Sequence, residues 1–268
     1  MRDFDIFCRK RIVNRKNKIY NRKGIESDSM YQQALDFFES FVHQYPIDEK
    51  DTSLESYYFK YRHTFDVVKR MEELTRDKKD KELYLTVALF HDLGRFVQLE
   101  KYKYYNDVKT KFDHAKESVL ILEEYEWFNK NNIPKETQEI IEFAILNHNK
   151  IAVEPCKGLK KELTETLRDA DKIGVLDRMY DNTSDIGKVS DDVFKAFQKE
   201  KLIPYTLVKT GIDGILAEIA FVFDLKKKKS LKIIKKEQIL NSRLELLKNS
   251  KYYKGILMTL ENYFQTMV

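Results

Sequence analysis

The sequence predicts an all-α fold, a single helical bundle with additional C-terminal helices, and three observations carry that expectation. Of 268 residues only 8 are glycine and 4 proline, so few positions demand a positive φ or a sharp turn. Apolar residues recur at three- and four-residue intervals along most of the chain, and no alternating run of strand length interrupts them. Hydrophobic residues make up 42% and charged residues 35%, the balance of a globular chain with a sizeable core rather than a disordered one. The expected partition is a basic extension over 1–27, a core over 28–190 and C-terminal helices over 191–268 packed on the same domain.

Residues 1–27 are polar and basic with no sustained apolar period. From Ser29 onward, Met30, Ala34, Phe37, Phe38 and Phe41 repeat at helical spacing, with Asp28 or Ser29 available as N-cap. Pro46 and the charged cluster behind it end that helix. Residues 54–76 form a second, long helix in which Phe59, His63, Val67 and Met71 align at intervals of four, so His63 shares the core-facing stripe. An apolar helix over 82–90 follows, and Gly94 reads as its C-terminal break just past His91 and Asp92. After a loop over 101–113 rich in Tyr, Lys and Asn, Asp113 caps a helix from His114 to about residue 128, with Trp127 as core packing.

Pro134 stands near the first turn of the next helix, which carries Ile140, Ile141, Ala144 and Ile145 and ends near His148. Residues 150–160 read as a loop containing Pro155 and Gly158. A helix over about 159–180 brings in Asp171, and a polar break covers 181–192. Further helices are expected at roughly 191–200, 206–225, 231–248 and 251–266. No internal repeat, Gly-rich phosphate loop or dinucleotide fingerprint occurs.

Two cysteines, Cys8 and Cys156, form no close pair, which argues against a disulfide scaffold and for a reducing, cytoplasmic setting. The N-terminus has charges but no apolar region behind them, so no signal peptide is expected. The most apolar stretch, 212–225, holds Asp213, Glu218 and Asp224, and is too short and too charged to span a bilayer. Net charge is +5 but unevenly placed. Residues 1–23 hold nine Lys/Arg against two Asp, and residues 226–236 hold seven Lys and no acid, so the rest of the chain is net acidic. Such basic runs are ordinarily solvated surface. Nucleic-acid binding through them stays open and is not favoured; no membrane partner is expected, and homo-oligomerisation stays open.

Four of the five histidines fall in an ordered series with acidic residues: His63, the adjacent pair His91 and Asp92, His114, His148 and, further on, Asp171. Neutral imidazole and carboxylate are ligands that divalent transition metals accept at neutral pH. Six such groups are too many for one tetrahedral site and suit two adjacent metals with a bridging carboxylate. Adjacent side chains leave the backbone in different directions, so His91 can serve one metal while the Asp92 carboxylate reaches both. His43 lies outside the series and reads as a satisfied core histidine rather than a ligand.

This order, His…His-Asp…His…His…Asp, resembles the dinuclear branch of the HD-domain metal-dependent phosphohydrolases. The local words His-Asp-Leu-Gly-Arg-Phe, Asp-His-Ala and Asn-His-Asn-Lys are similar to those of small bacterial HD hydrolases. The resemblance covers roughly residues 30 to 225 and implies a helical HD core. By motif position it assigns His63, His91, Asp92 and Asp171 to a first metal, and Asp92, His114 and His148 to a second. Iron or manganese is favoured, with nickel, zinc or magnesium open.

Arg95 stands where many dinuclear members carry a Lys; either cation suits a phosphate oxygen, and Arg can bind it bidentately. Lys172, next to Asp171, and Lys60, three residues before His63 on the same helical face, are weaker candidates for that task. Asp107 could orient a ligand histidine or donate a proton to a leaving group. The implied activity is metal-dependent hydrolysis of a phosphate ester or anhydride, in a nucleotide or related phosphorylated metabolite, with Asp92 and Arg95 as the residues acting at the reacting group. Two rivals stay open: a di-iron oxygenase, since the same six-ligand pattern resembles inositol oxygenase, and a metal-retaining regulatory or nucleic-acid-binding module.

Overall fold

Buried aromatic side chains explain why the first half of the chain folds as it does. A computed structural model describes residues 29–51, 53–178 and 187–268; the basic extension, and most of the polar break before residue 191, lie outside the described residues. The described residues contain helices and turns and no strand. The chain divides into two compact units, one formed by residues up to 65 with 77–160, the other by 66–76 with 161–268. Ile173 and Leu176 of the helix over 158–177 share one hydrophobic core with the C-terminal helices.

In the first unit, α1 (Met30–Val42) starts at Ser29, whose hydroxyl accepts from Gln32 N–H. It buries Ala34, Phe37, Phe38 and Phe41. The early part of α2 (Tyr57–Leu74) follows, then α3 (Lys81–Phe90), α4 (Leu93–Tyr102), the short α5 (Asp107–Thr110), α6 (His114–Glu124), the short α7 (Trp127–Lys130) and α8 (Lys135–His148). Residues 83–90 of α3 are all buried, so this helix is surrounded rather than amphipathic. Phe37, Phe90, Tyr125 and Trp127 meet edge-on, with centroids 4.8–5.8 Å apart in the Phe37–Phe90, Phe37–Tyr125 and Phe90–Trp127 pairs. Each large buried side chain contributes on the order of 1.5–3 kcal/mol, which fixes α3 and the His91–Asp92 corner at its end.

The second unit holds the later part of α2, α9 (Gly158–Asp177), α10 (Asp191–Phe197), α11 (Gly211–Ile219), α12 (Lys228–Lys236), α13 (Asn241–Leu247) and α14 (Tyr253–Met267), with 3-10 turns at Tyr205–Leu207 and Ala220–Asp224. Its core runs through Ile173, Leu176, Phe197, Leu216, Ile219, Leu247 and Leu260. Two buried charges organise it. Arg243, fully buried, donates to the carbonyls of Val175, Leu176 and Arg178 at the end of α9, and to Glu218 Oε2 at 2.9 Å. Asp169 accepts from the N–H groups of Lys226 and Lys227 and from the Ser230 hydroxyl, satisfying donors at the start of α12.

Several expected boundaries shift, each for a local reason. Glu126, with φ 55°, stops the helix that begins at His114. Gln238, with φ 55°, divides the expected 231–248 helix in two. The expected 206–225 helix begins only at Gly211, after a capping box between Thr210 and Asp213. Lys103 and Lys111 close α4 and α5 in the left-handed region, so the 101–113 loop contains a helical turn. Gly94 does not break a helix; it lies in the first turn of α4.

The reason for glycine at 94 is close approach. A Cβ there would stand 2.2 Å from the His114 carbonyl oxygen and 2.8 Å from Glu117 Cβ. Gly94 N–H donates to Ser118 Oγ at 2.9 Å, and that hydroxyl lies 3.0 Å from the His91 carbonyl and 2.9 Å from that of His114. The glycine and the serine together lock the His91–Asp92 corner against α6. We expect Gly94→Ala to destabilise the protein by about 1–3 kcal/mol through overpacking, lowering the midpoint of denaturant unfolding. An unchanged midpoint would mean that α4 and α6 can part freely.

Candidate metal centre

Helix ends build this site. His91 follows the last residue of α3, Asp92 precedes α4, His114 opens α6 and His148 closes α8, while His63 stands within α2. All five are buried. Asp113 caps α6 by accepting from the N–H groups of Ala115 and Lys116, which fixes where His114 starts.

The Asp92 carboxylate lies at the centre. Its Oδ2 is 3.9 Å from His63 Nε2 and 3.6 Å from His91 Nε2. Its Oδ1 is 3.2 Å from His114 Nε2 and 3.7 Å from His148 Nε2. His63, His91 and Asp92 thus form one group able to hold a metal, and Asp92, His114 and His148 another, each with its ligand atoms within 4.8 Å of one another.

Hydrogen bonds on the far side of the rings assign the tautomers. His91 Nδ1 donates to the Ala88 carbonyl at 2.7 Å, and His148 Nδ1 to the Ile145 carbonyl at 2.6 Å. His114 Nδ1 donates to Asp107 Oδ2 at 2.5 Å. A neutral imidazole that donates from Nδ1 presents a lone pair at Nε2. The Nε2 atoms of His114 and His148 face each other at 3.0 Å, and both turn toward Asp92. Lone pairs aimed at a common carboxylate suit a cation, so the residues present fit the divalent metals expected from the sequence.

Charge states agree with this geometry. Burial works against ionisation of Asp92, but the Lys60 ammonium above all holds its carboxyl well below the usual range. Burial, aided by the Arg95 charge, pushes His114 down to about 4, so its ring is neutral at physiological pH. Burial also opposes the charge on Asp107, yet its bond to His114 and the nearby Arg95 keep its carboxyl low. The Asp107 carboxylate accepts from His114 Nδ1 and so is placed to orient that ring.

Arg95 does not project freely into the cleft. Its NH1 donates to Asp107 Oδ1 at 2.6 Å, to Gln98 Oε1 at 2.7 Å and to the Tyr105 carbonyl at 3.1 Å, while its Nε stands 3.6 Å from Asp92 Oδ1. Gln98, passed over in the sequence, also donates to Asp107 Oδ1; its place three residues after Arg95 on the same helical face was the available signal. Lys60 donates to Asp92 Oδ2 at 2.9 Å. Asp171 and Lys172 lie on α9 and are not part of either three-residue ligand group. Lys172 pairs with Asp224 at 3.2 Å within its own unit.

The neutral state of His114 carries a stability consequence. Its folded value lies below the ordinary 6.5, so between about pH 6.5 and 4 the unfolded chain binds the extra proton and stability falls as pH falls. The loss across that window is about 3 kcal/mol at most. Urea unfolding of chelator-treated protein at the two ends of the window should show it, and His114→Gln should flatten the slope. A parent protein equally stable at both ends would rule out a buried neutral imidazole.

No curated protein and no solved structure matches the chain. Residues 61–179, which span His63 through Asp171, match the HD domain family, an all-α family that binds divalent metals. Residues 61–179 of the chain therefore carry an HD domain.

Proposed function

We propose that this protein is a metal-dependent phosphohydrolase that uses two divalent ions to cleave a phosphate ester or anhydride of a nucleotide or related phosphorylated metabolite. The observation that carries this reading is that both ligand groups contain Asp92, one converging on each carboxylate oxygen. Asp171 joins the first ligand set on its position in the motif alone. Iron or manganese is favoured for this mixture of imidazole and carboxylate. Divalent ions held there supply an activated water and neutralise charge on the phosphoryl oxygens.

The chain's own residues prepare the rest. Asp107, the backbone at Ala88 and the backbone at Ile145 hold three imidazoles in the ligating tautomer. Asp107 and Gln98 fix Arg95 by its NH1, so the remaining guanidinium N–H groups are the ones available to the non-bridging oxygens of a phosphoryl group.

Elemental analysis of the purified protein, followed by a phosphate-release screen over nucleotides and dinucleotides, tests the reading. Asp92→Ala should abolish metal retention and turnover together, while His148→Ala should remove about one metal equivalent and act more mildly. Full metal content in both variants would move the site elsewhere. Arg95→Ala should keep its metal but lose roughly ten- to a thousandfold in kcat/KM, with partial recovery in Arg95→Lys. Undiminished turnover in Arg95→Ala would make Arg95 structural. Oxygen consumption by an iron-loaded protein that releases no phosphate would replace this reading with the oxygenase one.

A further inference from the structure

Lys60 stands in an unusual place for a lysine. One turn before His63 on α2, it directs Nζ to within 2.9 Å of Asp92 Oδ2, the same oxygen on which His63 and His91 converge. Its side chain is only 12% exposed, so the contact is shielded from solvent ions. Aromatic rings hold the ammonium from the other side: the Tyr105 ring centroid is 5.4 Å from Nζ and that of Phe59 is 5.9 Å away. Tyr105 is itself tied down, donating its hydroxyl proton to the Ser56 carbonyl at 2.8 Å. Lys60 is therefore a fixed cation, unlike a surface lysine that wanders through rotamers.

The opposite oxygen is treated differently. Arg95 is the cation beside Asp92 Oδ1, but it stands back at 3.6 Å and shares its charge with Asp107 at 2.6 Å. A metal ligated through Oδ2 must approach a full positive charge already hydrogen-bonded to that atom; a metal ligated through Oδ1 meets a cation that is further off and partly neutralised. Like charges at such separations in a buried site repel strongly.

We propose that Lys60 is an internal rival of the metal at Asp92 Oδ2, so that the group of Asp92, His114 and His148 binds its ion tightly while the group of His63, His91 and Asp92 binds more weakly and second. Lys60 is thus a positioning residue that sets metal affinity: it keeps the carboxylate compensated when the ion is away and gives way when it binds. The inference rests on the two-metal reading above and adds an order of filling to it.

The test uses Co2+ titration of chelator-treated full-length protein, followed by calorimetry and by the metal's visible absorption. The parent should bind two equivalents in separable steps, with the weaker step lost in His63→Ala and the tighter one in His148→Ala. Lys60→Met, which keeps length and removes charge, should strengthen the weaker step tenfold or more and leave the tighter step within about twofold. Lys60→Arg should keep the parent's separation. Because Lys60→Met leaves a buried carboxylate uncompensated, its metal-free form should melt lower than the parent and gain more in Tm on adding Co2+; this readout serves even where the metal-free variant is too unstable to titrate. Unchanged or weakened binding in Lys60→Met, or a Tm gain no larger than the parent's, would overturn the proposal while leaving the metal site standing. A parent that takes up no Co2+ would overturn both.

Discussion

Asp92 is a nearly inaccessible carboxylate, and the candidate site is arranged around keeping it charged. An isolated buried carboxylate would take up a proton, since leaving it ionised without partners costs several kcal/mol. Here an ammonium reaches one oxygen, a guanidinium approaches the other, and four imidazoles lie within 4 Å. Few of these contacts are ordinary hydrogen bonds. Three of the imidazoles already donate from Nδ1 to other acceptors, so they offer Asp92 lone pairs rather than protons. A carboxylate ringed by lone pairs is a poor arrangement for a structural ion pair and a good one for binding a cation.

That arrangement depends on packing some distance from any ligand. His91 and Asp92 sit at a corner that the Ser118 hydroxyl bonds to α6 and that comes close to α6 because Gly94 has no side chain. α3 arrives from the middle of the aromatic core, buried on every side, so the ligand pair cannot drift at its upstream end. α6 delivers His114 with its start defined by the Asp113 cap. Such a site needs this support, because a displacement of one ångström at a helix end would separate the His114 and His148 Nε2 atoms that now lie 3.0 Å apart.

The helices and the histidine series could be read from the sequence because both are periodic or local signals. The apolar stripe of α1 and the His63 face of α2 follow from three- and four-residue spacing alone. Glycine after an apolar helix ordinarily marks a C-cap, and only the third dimension reveals that at Gly94 another helix backbone passes 2.2 Å from where a Cβ would be. The splits at Glu126 and Gln238 leave no trace in the sequence, because neither residue type advertises a left-handed conformation. Lys60 and Arg95 read from the sequence as cations in the right neighbourhood, but the carboxylates they pair with, Asp92 and Asp107, lie 32 and 12 residues away, a distance over which spacing carries no information.

Asp107 shows most clearly how pairing decides a residue's role. As an acid in a loop it could have donated a proton or oriented a histidine, and the two roles require opposite charge states. Its Oδ1 accepts from Arg95 and Gln98, and its Oδ2 accepts from His114. Donors on both carboxylate oxygens stabilise the ionised form, which outweighs the effect of burial. The same carboxylate then couples two neighbours that would otherwise be independent. It holds His114 by Nδ1, and it pairs at 2.6 Å with the Arg95 guanidinium, whose Nε stands 3.6 Å from Asp92 Oδ1. Burial, with the Arg95 charge added to it, lowers the affinity of His114 for a proton, leaving the imidazole neutral and its lone pair available. Loss of Asp107 would therefore disturb a ligand's orientation and a cation's position in one step, through a residue that lies in neither ligand group with Asp92.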